Sequence, residues 1–240
     1  MSARTVRRIL HEVDLQPHRT RYWKTACLDQ RFKHRAEQIL WCYAHADRLL
    51  KKGVGVVCVD EMPNLQALER QPIRRAIPGS IEQQEFEYRR HGTVNVLLFL
   101  VVATGHMYAL CPARKDALHY IEALEQFRHR YRHLRGVLLI QNGDSSHTAK
   151  ATQQYFARHR WWRPRWTPVH ASWLNQGELL NDAFSYRYLK RCSWPSRQAL
   201  IDHIAVAWSE YNQLYAHPFQ WTWTNQKMRE WFAQHVTHST

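Results

Sequence analysis

Three short stretches of the sequence carry oxygen-bearing side chains in positions suited to metal-dependent chemistry. Asp60 ends the apolar run VGVVCVD, Asn142 and Asp144 follow the apolar run GVLLIQ, and Glu178 lies in SWLNQGELL. A carboxylate at the end of a buried strand is costly unless it reaches solvent, a basic partner or a cation. Hard divalent cations prefer oxygen ligands, and two of them about 3.5–4 Å apart can activate a water or hydroxyl and stabilise the departing oxygen. The three stretches together indicate a candidate metal site.

The sequence alone does not decide which residue of the second stretch, LLIQNGDSSHTAK, would bind the metal. Asn142 is close to aspartate in size, but it offers one carbonyl oxygen and no charge. Asp144 points to the same side as Asn142 in an extended segment, yet it lies roughly 6–7 Å further along the backbone. The stretch is therefore a metal site with a weakened ligand, a site in which Asp144 is a substitute ligand, or an ordinary turn.

The pattern of apolar residues predicts the elements that must position these side chains. Predicted helices span residues 5–15, 30–51, 116–131, 145–159, 172–190 and 196–215. Predicted strands span 54–62, 136–141 and 163–167, with a hairpin within 91–113 that turns at Thr104 and Gly105. Residues 63–84 are predicted to form a loop, and the aromatic tail PFQWTWTNQKMREWF is expected to pack back on the body.

This order of elements predicts the α/β class and is similar to a ribonuclease H-like mixed sheet flanked by helices. In such a sheet the first and fourth strand ends lie side by side, and the helix after the fifth strand reaches the same place. Asp60, the 142–144 turn and Glu178 can therefore converge. Ser172 is expected to cap the helix that carries Glu178, which would place Glu178 on its second turn.

Composition narrows the classes of partner. The 240 residues carry a formal net charge of +14, with 34 Lys and Arg against 20 Asp and Glu, and the pI is about 9.9. Such an excess favours a polyanion, most simply nucleic acid. The five cysteines form no CxxC pair, which argues against a zinc site or a disulfide framework. The longest apolar run, 96–103, is too short to span a bilayer, so a cytoplasmic protein without a membrane partner is expected.

Several blocks in order resemble the mariner-related group of bacterial insertion-sequence transposases of the DDE superfamily. VVCVDEMPNLQALER resembles the first-Asp block, EFEYRRHGTVNVLLFLVVATG the second-strand signature, and IQNGDSSHTAK the second-Asp block. TPVHASWLNQGE resembles the third acidic block, and YNQLYAHPFQWTW the closing motif. TVRRILHEVDLQPHRTRYWK is similar to the end of a helix-turn-helix DNA-binding region. The similarity covers nearly the whole chain, with a helical remnant at residues 1–52 and a catalytic domain at 53–240.

The resemblance implies a reaction, cofactors and partners. It implies cleavage of transposon ends and strand transfer into target DNA by a homodimer in the bacterial cytosol, associated with the nucleoid and using two Mg²⁺ or Mn²⁺ ions. Asp60, Asn142 and Glu178 take the three catalytic and metal-ligating positions, but the family has Asp where this chain has Asn142. The activity of this copy is therefore expected to be impaired. The alternatives are a catalytically inactive DNA-binding protein derived from a transposase and, more remotely, a ribonuclease H-type nuclease acting on hybrids.

Basic residues in four places are candidate DNA contacts. His147, which opens a predicted helix beside the site, either touches ligand or phosphate or simply packs there. The N-terminal group is the best candidate for phosphate contact, whereas the groups at 89–90 and 187–191 have the alternative of a solvated basic face. The candidates are Arg4, Arg7, Arg8, Arg19, Arg21, Lys24, Arg89, Arg90, His147, Arg187, Lys190 and Arg191.

Overall fold

A five-stranded mixed sheet lies at the centre of the fold. The computed structural model describes residues 28–70, 77–81, 87–190 and 192–236. The strands are β1 (Val54–Arg70), β2 (Tyr88–Val101), β3 (His106–Leu110), β4 (Gly136–Gln141) and β5 (Trp162–Trp166). Their order across the sheet is β3-β2-β1-β4-β5. β1, β2 and β3 are antiparallel neighbours, whereas β4 pairs in parallel with β1 and with β5.

Helices cover both faces of the sheet. They are α1 (Gln30–Lys51), α2 (Ala117–Arg130), α3 (Ser145–Thr148), α4 (Lys150–Arg158), α5 (Gln176–Phe184), α6 (Arg197–Leu214) and α7 (Asn225–Val236). Alternate residues of a strand point to opposite faces. Val56 and Cys58 accordingly pack with α1, α5 and α6, whereas Val57 and Val59 pack with α2 and α4. A central strand buried on both faces explains the uninterrupted apolar run at the start of β1.

The alternation at the end of β1 separates two neighbouring carboxylates. Asp60 continues the face of Cys58, toward α1 and α5, and Glu61 continues the face of Val59, toward α2. Both residues lie where β1 passes the end of its parallel neighbour β4, whose last strand residue is Gln141. The sheet therefore presents one acid to each of its faces at the same edge.

β1 is longer than the sequence pattern predicts. Residues 63–70 were expected to belong to a loop, but the strand runs to Arg70 and pairs with β2 as far as Tyr88. The register shifts between Met62 and Leu65, so Pro63 lies at an irregularity, where a missing N–H group costs little. Arg89 and Arg90, expected to precede the second strand, are therefore exposed residues of β2 itself.

Two helices differ from their predicted bounds. The helix predicted over 145–159 is divided into α3 and α4 at Ala149, whose extended φ and ψ interrupt it. The helix predicted over 172–190 is a 3₁₀ turn (Ser172–Leu174), then α5, then a π-helical segment (Ser185–Leu189). Asn175 rather than Ser172 caps α5, so the expected cap was wrong, and Glu178 lies in the first turn rather than the second.

The terminal parts of the described chain pack together. Phe32, Ala36 and Leu40 of α1 form a core cluster with Met228 and Phe232 of α7, which confirms that the aromatic tail packs on the body. No helix in the described part of the chain is long and apolar enough to cross a membrane. The predicted helix at 5–15 lies outside the described residues, and the division of the chain at residue 52 stays a prediction.

Candidate active site

Asp60 is a buried carboxylate with an unusual environment. Its side chain is 8% exposed, and Oδ2 accepts a hydrogen bond of 2.6 Å from the Asn181 amide. Burial and, to a lesser extent, the nearby negative charge of Glu178 together raise the pKa of Asp60 to about 7. No Lys or Arg within the described residues forms an ion pair with Asp60 or Glu178. Two acids therefore lie together without a compensating cation from this part of the chain.

The start of α5 holds Glu178 against the end of β1. Asn175 Nδ2 donates a 2.8 Å hydrogen bond to the Val59 carbonyl, and Asn175 Oδ1 accepts one of 3.1 Å from the Gly177 N–H group. A methyl group on Gly177 would lie 2.8 Å from the Asp60 Cβ, closer than real Cβ contacts allow. The small residue at 177 lets the helix backbone approach the strand, and this approach brings Glu178 to Asp60.

Asn142 follows the neighbouring strand. Cys58 pairs with Ile140 in the parallel ladder, so continuing the register by two residues places Asn142 beside Asp60. Asn142 Oδ1 accepts a hydrogen bond of 3.1 Å from the Asp144 N–H group, and its backbone carbonyl lies 3.2 Å from His147 Nδ1. The structure therefore brings the ends of β1 and β4 and the start of α5 together, as the sequence predicts.

Asp144 belongs to a second network on the other face of the sheet. Lys115 Nζ lies 2.8 Å from both Asp144 Oδ2 and Glu61 Oε2. Asp144 Oδ1 also accepts hydrogen bonds of 2.9 Å from the N–H and the hydroxyl of Ser146, which makes it the cap of α3. Burial opposes ionisation of Asp144, but Lys115 and Ser146 outweigh it and lower its pKa to about 2. Asp144 is therefore a charged residue that is already fully partnered.

His147 and Glu61 complete this second network. His147 is buried, with Nε2 3.3 Å from Glu61 Oε1 and the ring 4.2 Å from that of Tyr120. Burial raises the pKa of Glu61, but hydrogen bonds from His147 and Lys115 outweigh it, so the net pKa is lowered. His147 thus connects the backbone of Asn142 to β1. These contacts hold His147 within the fold, and its contact with a ligand or a phosphate stays a prediction.

The family of the chain follows from its sequence. Residues 55–201, more than half of the chain, match the model of a family described as DDE superfamily endonuclease. The chain belongs to this family. The matched residues include the ends of β1 and β4 and all of α5, so the family's region contains Asp60, Asn142 and Glu178. A comparison with curated protein sequences gave no significant match.

Solved structures similar to this DDE endonuclease include complexes of the Mos1 mariner transposase. The Mos1 strand transfer complex has a TM-score of 0.63 at 17% identity, over 99% of this chain and 70% of that one. A mariner Mos1 paired-end complex with Mg has a TM-score of 0.59 at 15% identity, over 99% of this chain and 70% of that one. The Mos1 catalytic domain with raltegravir and Mn has a TM-score of 0.51 at 14% identity, over 89% of this chain and 96% of that one. At these identities the likeness establishes the fold, and it confirms the predicted ribonuclease H-like mixed sheet.

The donor atoms of this DDE endonuclease fit a divalent cation. Asp60 and Glu178 offer carboxylate oxygens, and an added positive charge would relieve the repulsion that raises the pKa of Asp60. Asn181 Oδ1 is buried and has no hydrogen-bond partner among the residues that the structure describes, which leaves one more neutral oxygen near Asp60. Within the described residues no three His, Cys, Asp or Glu side chains form a ready metal cage. The role of Asn142 as the third ligand stays a prediction.

The basic residues predicted to contact DNA are distributed unevenly around the DDE endonuclease site. Arg187 lies over the Tyr215 ring at 3.9 Å, and Lys190 lies over the Tyr186 ring at 4.9 Å. Both residues follow the C-terminal end of α5, whereas Glu178 lies in its first turn. Arg90 lies over Tyr88 on the exposed part of β2. The remaining predicted contacts, which are Arg4, Arg7, Arg8, Arg19, Arg21, Lys24 and Arg191, lie outside the described residues.

Several residues around the site were not identified from sequence. Asn181 was missed, although it lies three residues after Glu178 and so shares its face of a helix. Glu61 and Lys115 were missed because their contact joins positions far apart in the chain. The 3₁₀ turn before α5 also hid the capping role of Asn175, although Asn is a preferred capping residue.

Proposed function

We propose that this chain is the catalytic part of a DNA transposase that cleaves transposon ends and transfers the strands into target DNA. The observation that carries the proposal is the approach of α5 to β1, which puts Glu178 beside Asp60 at the edge where Asn142 follows β4. Family membership and the Mos1-like fold support the same reading. The catalytic domain would span residues 53–240, and residues 1–52 would be the end of a DNA-binding region and its linker helix.

Asp60, Glu178 and Asn142 would hold two Mg²⁺ or Mn²⁺ ions. When bound, such ions activate a water or a 3′-hydroxyl and neutralise charge on the departing oxygen. The protein's own contribution is to fix the ligands. The Asn181 amide fixes Asp60, and the Asn175 cap fixes the backbone before Glu178. Structures of Mos1 with Mg and with Mn are consistent with this choice of ions.

Asn142 would make this copy a weak enzyme. Its amide adds an oxygen but no charge, so the set supplies two negative charges where the family pattern supplies three. Residues of a catalytic unit act together, and loss of one metal ligand usually costs most of the activity. Binding of the ions would weaken, and so would their effect on the reacting phosphate. The impairment comes from charge, since the position and size of the side chain are nearly those of aspartate.

Asp144 is a poor substitute ligand in this arrangement. To reach the ions it would have to leave Lys115 and the Ser146 N–H group, and its face of the sheet is that of Glu61 rather than Asp60. Lys115 would then be left between Glu61 and the solvent. We therefore propose Asn142, with its amide oxygen, as the residue that faces the site, and Asp144 as part of the supporting network.

A second candidate function is a DNA-binding protein without chemistry, and Asn142 is the observation that favours it. Such a protein would bind element ends and compete with an active transposase. In both readings DNA is the partner, and the net charge of +14 supports this. The paired ends of the Mos1 complexes make a homodimer the proposed assembly. Light scattering of the protein with and without DNA tests that assembly.

Nicking of supercoiled plasmid DNA in Mg²⁺ or Mn²⁺ tests the proposed function. We expect Asn142→Asp to nick at least tenfold faster than the unchanged chain, since a metal ligand of a catalytic unit is restored. Asn142→Asp combined with Asp60→Asn is the matched inactive control, and Asp144→Asn tests whether residual activity depends on Asp144. A parallel assay on an RNA–DNA hybrid tests the ribonuclease H reading.

Each result of this assay bears on a different part of the proposal. Equal nicking by the unchanged chain and Asn142→Asp would show that Asn142 is not a defective ligand. Absence of nicking in both, with DNA binding retained, would favour the DNA-binding protein. Residual activity that is lost on Asp144→Asn would make Asp144 the ligand. Faster cleavage of the hybrid than of duplex DNA would favour a ribonuclease.

A further inference from the structure

A groove of about 520 Å³ opens beside Asn142 at the carboxyl ends of β4 and β5. Its floor and rim come from α1, from the turn after β4, from α3 and α4, and from the turn after β5. In open α/β sheets ligands bind in the crevice outside the carboxyl ends of the strands. The volume falls in the range of roughly 300–1,000 Å³ typical of pockets that bind small molecules. The groove is therefore large enough for a ligand and continuous with the proposed catalytic edge.

The side chains around the groove combine positive charge with aromatic and apolar surface. Arg35 of α1 lines it and makes only a long hydrogen bond of 3.5 Å to the Thr167 carbonyl. None of the described carboxylates forms an ion pair with Arg35. Asp144 is the acid at the groove, and its charge is already engaged by Lys115. Arg35 therefore brings to the groove a positive charge that no described carboxylate neutralises, which suits contact with a phosphate.

The end of β5 and the turn after it supply the rings. Trp166 is the last residue of β5 and is partly buried, whereas His170 lies exposed in the turn, next to Val169, which is 67% exposed. His170 has a φ of 61°, in the left-handed region that residues other than glycine rarely adopt. A partly buried tryptophan and an exposed histidine ring beside a cationic side chain are the combination with which proteins bind unpaired nucleotides, by stacking on the base and attracting the backbone.

Resting on the proposed function, we infer that this groove holds an unpaired nucleotide of the DNA strand that carries the scissile phosphate. Trp166 and His170 contact the base, and Arg35 contacts a phosphate of the backbone. Asn142 lies at the boundary between the groove and the proposed metal site. A nucleotide held there fixes the strand on one side of the reacting phosphate. The groove is thus a positioning subsite for a single strand.

Binding of two synthetic DNAs in EDTA tests this inference. One is a blunt duplex, and the other is the same duplex with a short unpaired oligothymidylate tail that contains 5-iodouracil. We expect the tail to strengthen binding by roughly tenfold, the effect of about one stacked base. That gain should disappear in Arg35→Ala and in Trp166→Ala. Ultraviolet cross-links from the iodouracil should map by mass spectrometry to the segment from Trp166 to His170.

Three variants separate binding from folding. Arg48→Ala removes an exposed arginine from the same helix, away from the groove, and should keep the gain from the tail. Arg35→Lys keeps the charge and should recover part of the gain. His170→Gly removes the ring at a position whose φ glycine adopts without strain, so it should weaken binding of the tail without lowering the melting temperature.

The outcomes distinguish this inference from the proposed function. Equal affinity of the unchanged chain for the tailed and blunt DNAs, or cross-links mapping elsewhere, would overturn the groove as a single-strand subsite. If Asn142→Asp nicks plasmid DNA in that case, the transposase proposal stands without it. If the protein neither binds the DNAs nor nicks plasmid as Asn142→Asp, both proposals fall together.

Discussion

Gly177 and Asp60 are in such close contact that a Cβ atom at residue 177 would lie 2.8 Å from the Asp60 Cβ. This contact joins α5 to β1 and sets the separation between the two carboxylates of the site. Neither partner can yield easily, because Asp60 belongs to a central strand and Gly177 is buried beside the helix cap. The distance between the elements is therefore determined by the absence of a side chain at one residue.

We expect Gly177→Ala to separate α5 from β1. Overpacking of this kind costs roughly 1–3 kcal/mol. Nicking in the Asn142→Asp background should be lost with it, because Glu178 moves away from Asp60. Urea denaturation and the nicking assay measure the two effects. Gly143→Ala is the matched control for the urea measurement, since a Cβ there meets nothing within 4 Å, and an equal loss of stability in both variants would contradict this account.

Asp60 should lower the stability of the metal-free protein as pH rises. Its pKa is about 7 in the folded state against 3.8 for an ordinary aspartate, so the folded protein holds the proton that the unfolded chain releases. The penalty therefore builds up between these two values. It reaches about 4 kcal/mol at pH 8 as an upper figure, and about 1 kcal/mol at pH 4.5.

The variant Asp60→Asn should remove this penalty. In EDTA its free energy of unfolding should exceed that of the unchanged chain at pH 8, with a much smaller difference at pH 4.5. Added Mg²⁺ should stabilise the unchanged chain more than the variant, because a ligand that binds the folded state raises its stability. A difference that is the same at both pH values would show that desolvation of Asp60 is not its cause.

Lys115 should stabilise the fold by neutralising Glu61 and Asp144. In Lys115→Met these two partly buried carboxylates lose their shared cation, and we expect a loss of about 1–3 kcal/mol at pH 7. Both pKa values are lowered in the folded state, so their contribution is present above the unfolded values and is lost as pH falls toward about 2 for Asp144. The destabilisation should accordingly shrink at pH 3.

Two comparisons test the role of Lys115. Lys51→Met removes an ion pair with Asp47 in which both side chains are about three-quarters exposed, and it should change stability by less than about 1 kcal/mol. Asp144→Asn in the Lys115→Met background should restore part of the loss, because one of the unpaired charges is gone. A loss from Lys115→Met no larger than that from Lys51→Met would refute the proposed role.

Asn175 should stabilise the contact between α5 and β1 in two ways, because its side chain donates a hydrogen bond to β1 and accepts one at the start of α5. Asn175→Asp keeps the acceptor for the Gly177 N–H group but leaves the Val59 carbonyl without its donor and adds a third acid beside Glu178. We expect a loss of about 1–3 kcal/mol in urea denaturation. Asp29→Asn exchanges the same residue types at the cap of α1 and should cost a few tenths of a kcal/mol.

The sequence was sufficient to predict those helices, strands and turns that their own residues determine. The bounds of α1 and β4 agree with prediction, since Asp29 caps the one and an apolar run fills the other. The hairpin turn at Thr104 and Gly105 is also confirmed, because Gly105 has the positive φ that such a turn needs. Membership of the DDE family was likewise readable, because its blocks are consecutive stretches of sequence.

Features that depend on contacts between residues far apart in the sequence could not be predicted from it. The second half of β1 has a polar composition, and it is a strand only because β2 supplies its hydrogen bonds. Lys115 lies between Glu61 and Asp144 through tertiary packing that no spacing reveals. Ser172 and Asn175 are both of residue types that cap helices. Asn175 is the one that caps α5, and its contact with Val59 on β1 could not be predicted from the sequence. The site could thus be located from sequence, but its supporting contacts could not.

The opposite orientations of Asp60 and Glu61 have a consequence for how this chain can change over evolutionary time. Deleting or inserting one residue early in β1 would turn Asp60 toward Lys115 and Glu61 toward α5. Both acids would still be present, yet each would occupy the other's environment. Gain or loss of one residue here should therefore be tolerated far less than a substitution at either position. Related proteins should differ in the length of β1 only beyond the irregularity at Pro63.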